Sequence, residues 1–106
     1  MANTYINAKL DLTATSVTTL YTCPALTTGV VKSIIVSEDT GSADTITVTL
    51  TNGSSVYSLF KVKAIGANTT VELLTAPLIV QAGEILKVTA ATANRLHIVA
   101  SILEVT

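Results

Sequence analysis

The sequence is poor in charge, in aromatic residues and in the residue types that build most catalytic sites. Only 12% of its 106 residues are Asp, Glu, Lys or Arg, about half the usual share for a globular domain, and 4% are aromatic, with no Trp. A single Cys excludes a disulfide within the chain. The six basic residues are scattered, unlike the footprint of nucleic-acid binding, and no segment approaches membrane-spanning length. We therefore expect neither nucleic acid nor a membrane as partner.

The first residues do not resemble a secretion signal. They lack a basic start, and no apolar run of the needed length with a cleavage pattern follows. We therefore expect synthesis in a cytoplasm. Because charge is scarce, Thr, Ser, Asn and some apolar side chains must cover the domain, and exposed apolar patches on small proteins usually mark contacts. The composition thus predicts a homo-oligomer, or a subunit that docks on something larger.

What the sequence does contain is aliphatic and β-branched. Val, Ile and Thr fit the pleated surface of a sheet, and short alternating runs recur between turn residues, without helical periodicity of useful length. In residues 45–51, Thr alternates with aliphatic residues, and Asn52-Gly53 then predicts a hairpin turn. About eight strands are expected. The predicted strands are 4–13, 17–23, 30–36, 45–51, 55–64, 69–74, 85–91 and 95–105, with a short apolar run at 78–80.

These strands predict one all-β domain. Residues 1–15 form an N-terminal strand or extended arm, and residues 16–106 form an antiparallel β-sandwich, jelly-roll-like in arrangement. An immunoglobulin-like topology is the main alternative, although its Cys, Trp, Cys hallmark is missing. Residues 34–36 are all aliphatic and suggest a strand covered on both faces. The last strand is also apolar on both faces, which indicates a central position or a covering partner.

No arrangement of residues predicts chemistry. His97 and Cys23 lie on different predicted strands and cannot supply the three or four ligands of a zinc site. Glu38 and Asp39 belong to a polar loop, where solvated charges are favoured over a pair of catalytic carboxylates. The five glycines stand singly at turns, so no phosphate-binding loop is present. We expect no catalytic residue, no metal and no cofactor, and hence no enzyme.

The order of several segments carries a family resemblance. They are Leu-Tyr-Thr-Cys-Pro at 20–24, Val-Val-Lys-Ser-Ile at 30–34, Ala-Pro-Leu-Ile-Val-Gln-Ala-Gly-Glu-Ile-Leu-Lys-Val at 76–88 and Ala-Ser-Ile-Leu-Glu-Val at 100–105. Over roughly residues 16–105 the chain resembles small virion proteins of tailed bacteriophages, particularly phages of cyanobacteria and other aquatic bacteria. These segments are strand-and-turn patterns and not chemical signatures, and residues 1–15 match less well.

The resemblance implies a decoration (cement) protein on the capsid surface of the virion. Such proteins bridge subunits of the major capsid protein, and a homotrimer is favoured. Contacts are expected from residues 1–11 of the N-terminal segment and from the loops at 38–44 and 66–69. An alternative is a neck, tail or head-fibre component that binds host glycans, for which Tyr5, Tyr21 and Tyr57 are candidate stacking residues. The predicted contact residues are Thr4, Tyr5, Ile6, Leu10, Glu38, Asp39, Asp44 and Asn68.

Overall fold

The fold is all-β, as predicted. The computed structural model describes residues 2–106, so Met1 of the predicted N-terminal segment lies outside the described residues. Within this range the chain forms nine strands and no helix. The strands are β1 (Asn3–Asp11), β2 (Thr18–Thr22), β3 (Thr28–Glu38), β4 (Asp44–Asn52), β5 (Ser55–Ile65), β6 (Thr70–Glu72), β7 (Leu78–Val80), β8 (Ile85–Ala90) and β9 (Leu96–Val105).

The strands form two antiparallel sheets with jelly-roll connectivity. One sheet has the order β1-β9-β3-β6, with β7 also paired to β3, and the other has the order β2-β8-β4-β5. The first strand thus pairs with the last and the second with the eighth, as when a long hairpin is rolled into two sheets. The three-residue strands β6 and β7 pair with different parts of β3, which explains nine strands where about eight were predicted.

The core lies between the sheets and is built mainly from alternating aliphatic residues. In β9, Leu96, Ile98, Ala100 and Ile102 are almost completely buried, as the alternation predicted. β9 is central, between β1 and β3. The hairpin predicted at Asn52-Gly53 is confirmed, because Asn52 pairs with Ser55 across the turn.

Two predictions about individual strands are wrong. Ile35 of β3 is 39% exposed, so this strand is not covered on both faces within the chain. Period-two spacing predicts that residues 56–64 of β5 alternate between two faces, but two register shifts against β4 break this alternation. Val62 there has a φ of 52°, which a β-branched residue rarely adopts, and its N–H bonds the Thr47 hydroxyl at 3.0 Å. An irregular edge strand of this kind cannot be derived from period-two spacing.

The N-terminal segment is a strand, which was one of the two predicted forms. All nine residues of β1 pair with β9, from Asn3 opposite Val105 to Asp11 opposite His97. Ile6, Ala8 and Leu10 pack against the core from this strand. β1 is therefore part of the folded domain.

Candidate functional site

A buried carboxylate organises the end of the molecule where the loops at 38–44 and 66–69 lie, which we call the loop end. Glu38 ends β3 and is only 2% exposed, so the prediction of a solvated loop charge is wrong. Its carboxylate accepts hydrogen bonds from the backbone N–H groups of Thr40 at 2.8 Å, Gly41 at 3.1 Å and Asn68 at 3.0 Å, and from the Thr40 hydroxyl. The loops predicted at 38–44 and 66–69 are thereby joined into one surface. The hydrogen bonds that Glu38 accepts bring the two loops together, and the Glu38 side chain itself is buried.

These bonds set the pKa of Glu38. The hydrogen bond from the Thr40 hydroxyl lowers the pKa most, because it favours the charged carboxylate. Burial raises the pKa, and the N–H groups of Asn68, Thr40 and Gly41 lower it further. Together these effects lower the pKa of Glu38 from 4.5 to about 2. Although burial raises the pKa of Glu72, bonds from the Ser33 hydroxyl and from the N–H groups of Ile34 and Leu74 lower it below its usual value.

Replacement of Glu38 by Gln should make the melting temperature depend less on pH in the acid range. A lowered folded-state pKa means that the contribution of Glu38 is fully present above pH 4.5 and is lost as the pH falls towards 2. The melting temperature of the wild type should therefore fall more steeply over this window than that of Glu38→Gln, and Glu72 should leave a residual slope in both. The exposed Asp39→Asn is the control, and equal slopes for wild type and Glu38→Gln would contradict the assignment.

The other acidic residues of the loop end differ in exposure. Asp44 is buried and accepts a hydrogen bond from the Thr92 N–H at 3.1 Å, so it is not a solvated loop charge either. Asp39 is exposed and lies 3.8 Å from His97 Nδ1, while Asp11 lies 3.2 Å from His97 Nε2. The end of β1, the start of β9 and the β3–β4 loop thus meet at His97.

The predicted contact residues of β1 point to opposite faces of the sheet. Tyr5 is 75% exposed on the outer face, whereas Ile6 and Leu10 point inward and are half-buried. Thr4 lies on the inward side but remains exposed near the end of the strand. These four residues run along one edge of the five-stranded sheet and do not converge on the loop end.

The structure places an exposed apolar surface on the five-stranded sheet, a position that was not predicted. One row across the sheet joins Tyr5 to Leu103, Leu103 to Val30 and Val30 to Ile79, and a second row joins Val99 to Ile35. Tyr5, Ile35, Ile79 and Val99 are each more than a third exposed. The available signal was the apolar character of both faces of the last strand, which had suggested a covering partner. We call this surface, formed by Tyr5, Val30, Ile35, Ile79, Val99 and Leu103, the apolar face.

The opposite surface of the molecule has different chemistry. On the outside of the four-stranded sheet, Thr47 pairs with Thr89, and Thr49 pairs with Lys87, which in turn pairs with Thr19. The predicted alternation of β4 is confirmed for Ile46 and Val48, which are fully buried, but Thr51 is also buried. We call Thr19, Thr47, Thr49 and Thr89 the threonine face. The domain therefore presents one hydroxyl-rich side and one side on which the polar row Asn7, Ser101 and Ser33 separates the two apolar rows.

The described residues also contain two surface depressions and a buried cysteine. Two open depressions lie beside β1: one of about 510 Å³ near Tyr5 and Lys32, and one of about 350 Å³ near Lys9 and His97. Among residues 2–106, no three His, Cys, Asp or Glu side chains are placed to hold a metal ion. Cys23 is buried, and its thiol donates to the Thr27 carbonyl. No helix that could span a membrane occurs in the same range.

Tyr21 is unsuited to stack on a sugar. It is 7% exposed, and its hydroxyl donates to Glu104 at 2.6 Å. Burial, together with this bond, raises the pKa of Tyr21 above its usual value. Gly29 is required beneath the ring, since a Cβ there would lie 2.9 Å from the Tyr21 hydroxyl oxygen. Of the three tyrosines considered for glycan stacking, Tyr5 and Tyr57 are exposed.

No protein-family model matches the chain, and no curated protein matches it significantly.

Proposed function

We propose that this chain is a structural protein of a bacteriophage particle, a decoration protein that binds the outside of the head and bridges neighbouring major capsid subunits. It acts without catalysis or a cofactor. The observation that carries the proposal is the apolar face, which crosses four strands of a domain with few surface charges. A surface of this kind suits binding by area and shape, and the sequence resemblance to phage virion proteins supplies the partner.

In this proposal the apolar face contacts the shell. Ile35 and Val99 lie opposite one another in the second row of this face, with 39% and 38% of their surface exposed, and a partner would cover both. The threonine face remains in water, where hydroxyl groups are readily solvated. The resemblance favours a trimer on the capsid, and the loop end at Asp39 and Asn68 supplies further contacts at the edge.

The test is binding to purified heads that lack this protein. The double variant Ile35→Thr and Val99→Thr keeps β-branched side chains in both strands but removes apolar contact area. We expect it to co-sediment with heads at least roughly tenfold more weakly, since each 1.4 kcal/mol of lost contact is a factor of ten in affinity. The control is Thr49→Val with Thr89→Val, which changes the threonine face. Equal binding by the apolar-face variant, or no binding by the wild type, would contradict the proposal.

A second candidate is a neck, tail or head-fibre component that binds host glycans. It is favoured by Tyr5 and Tyr57, which are 75% and 56% exposed and present aromatic surface to solvent. Binding on a glycan array that is lost in Tyr57→Ser, while the fold is retained, would support this function over the first.

A further inference from the structure

We infer that two copies of this chain pair through their β1 strands about a two-fold axis at Asn7, which joins their five-stranded sheets edge to edge. The inference rests on the geometry of β1 and not on the proposed function. It concerns the one edge of the described structure that is both long and regular.

The other sheet edges are short or irregular. β2 has five residues and a register shift, and β6 and β7 have three residues each. β5 is long, but its two register shifts, the positive φ of Val62 and the charges of Lys61 and Lys63 disturb the edge. Such features prevent unwanted strand pairing. β1 pairs over nine residues without a shift and contains no Pro, so it lacks most of these protections.

The hydrogen bonds of β1 show which backbone groups face outward. The Leu12 N–H bonds the Leu96 carbonyl, and the Thr106 N–H bonds the Ala2 carbonyl, so even-numbered residues bond towards β9. The odd-numbered residues therefore direct their N–H and C=O groups to the open edge. The Asp11 carbonyl accepts a hydrogen bond from the Thr13 N–H. The edge-facing N–H and C=O groups of the earlier odd-numbered residues, Asn3, Tyr5, Asn7 and Lys9, are free to bond a neighbouring strand.

Self-pairing has one favourable register. In this register Asn7 lies opposite Asn7 of the second copy. The other residues whose N–H and C=O groups face the open edge also pair, Asn3 with Asp11 and Tyr5 with Lys9. No like charges lie opposite, and the Lys9 side chain can lie along the Tyr5 ring. Centring the pair on Lys9 would place two ammonium groups opposite each other, and centring it on Tyr5 would shorten the ladder. The Asn7 register thus combines full length with compatible charge.

The same register also covers apolar surface. On the inward side, Ile6 lies opposite Ala8 of the second copy, and Leu10 lies opposite Thr4. Ile6, Ala8 and Leu10 are only half-buried in the single chain, and the second strand covers their remaining exposed side. The two apolar faces then lie on the same side of one continuous sheet. A two-fold pair predicts a dimer in solution, in contrast to the trimer favoured by the resemblance.

Cysteine cross-linking tests the register. Residue 7 would face its own copy at the axis, where Cα atoms of a hydrogen-bonded pair are about 5.5 Å apart, within disulfide range. The two copies of residue 9 would be four positions out of register, about 14 Å apart. The native Cys23 is buried and does not compete. We expect Asn7→Cys to form a covalent dimer at least roughly tenfold faster than Lys9→Cys under mild oxidation. Equal rates would overturn the register.

Light scattering on the wild type and on Asn7→Pro tests the dimer itself. The wild type should show twice the mass of one chain. Asn7→Pro removes an N–H that makes no bond within the chain, so it should show the mass of one chain with an unchanged far-ultraviolet circular dichroism spectrum. Asn7→Ser, which keeps the N–H, should remain a dimer. A wild type with the mass of one chain or of three chains would overturn the inference, whatever the outcome of head binding.

Discussion

Replacement of Ile98 by Ala is expected to lower the free energy of unfolding by about 2–5 kcal/mol, among the largest effects of any single substitution in the chain. Ile98 is fully buried in β9, the central strand of the five-stranded sheet, with β1 on one side and β3 on the other. Truncation removes apolar contacts and leaves a cavity that the flanking strands cannot close. Chemical denaturation followed by circular dichroism measures the loss.

Val99→Ala is the matched control for Ile98→Ala. It changes the next residue of the same strand, but Val99 points to the apolar face and is 38% exposed. The expected loss is about 1 kcal/mol or less, because little buried volume disappears. Similar losses for the two variants would contradict the placement of Ile98 in the core and Val99 on the surface.

Deletion of residues 1–11 is expected to abolish cooperative folding. The deletion removes β1, leaves the β1-facing backbone groups of Ile98, Ala100, Ile102 and Glu104 in β9 unpaired, and uncovers core residues beneath Ile6, Ala8 and Leu10. Buried hydrogen-bonding groups left without a partner cost about 1–3 kcal/mol each when water does not reach them. Several such costs together exceed the net free energy of unfolding of a small domain. Loss of the cooperative thermal transition is the expected readout.

Substitutions of outward side chains separate this effect from a loss of surface contacts. Tyr5→Ser with Lys9→Ser changes the exposed face of β1 and keeps its backbone pairing with β9. This variant should melt cooperatively, close to the wild type. A folded, cooperative protein after deletion of residues 1–11 would show that β1 is a dispensable arm, contrary to its pairing along the whole of β9.

The sequence predicts the fold better than the surface. Alternation in β4, β8 and β9 identified the core residues, because one face of each strand is buried and the side-chain period is two. Strand number and spacing indicated a two-sheet, jelly-roll-like sandwich, whereas the strand order is visible only in the structure. The bulges of β5 were not predictable in this way, since most residues of this edge strand are exposed and burial does not fix a period-two pattern there.

The loop end shows why the site residues were harder to predict. Glu38 stands beside Asp39 in a polar segment that reads as a solvated loop, and one of the two is buried while the other is exposed. Three of the four hydrogen bonds to the Glu38 carboxylate come from Thr40 and Gly41 beside it, but the fourth comes from the N–H of Asn68, thirty positions later in the chain. Such a contact arises from tertiary structure and has no local signal.

The apolar face was only indirectly visible in the sequence. Apolar residues on both sides of β9 indicated either a central strand or a covering partner, and both readings apply to different faces in our account. Ile98 faces the core, while Val99 lies opposite Ile35 on the exposed side. Only the pairing of strands distant in sequence brings Tyr5, Leu103, Val30 and Ile79 into one row.

The measurement that tests the proposed function most directly is the copy number of this protein in purified virus particles, relative to the major capsid subunit. Quantitative mass spectrometry of intact particles and of isolated heads provides it. A decoration protein is predicted to occur at an abundance close to that of the shell subunit and to remain with the heads. A copy number that matches only the symmetry of a neck or tail, or absence from the particles, would contradict the account.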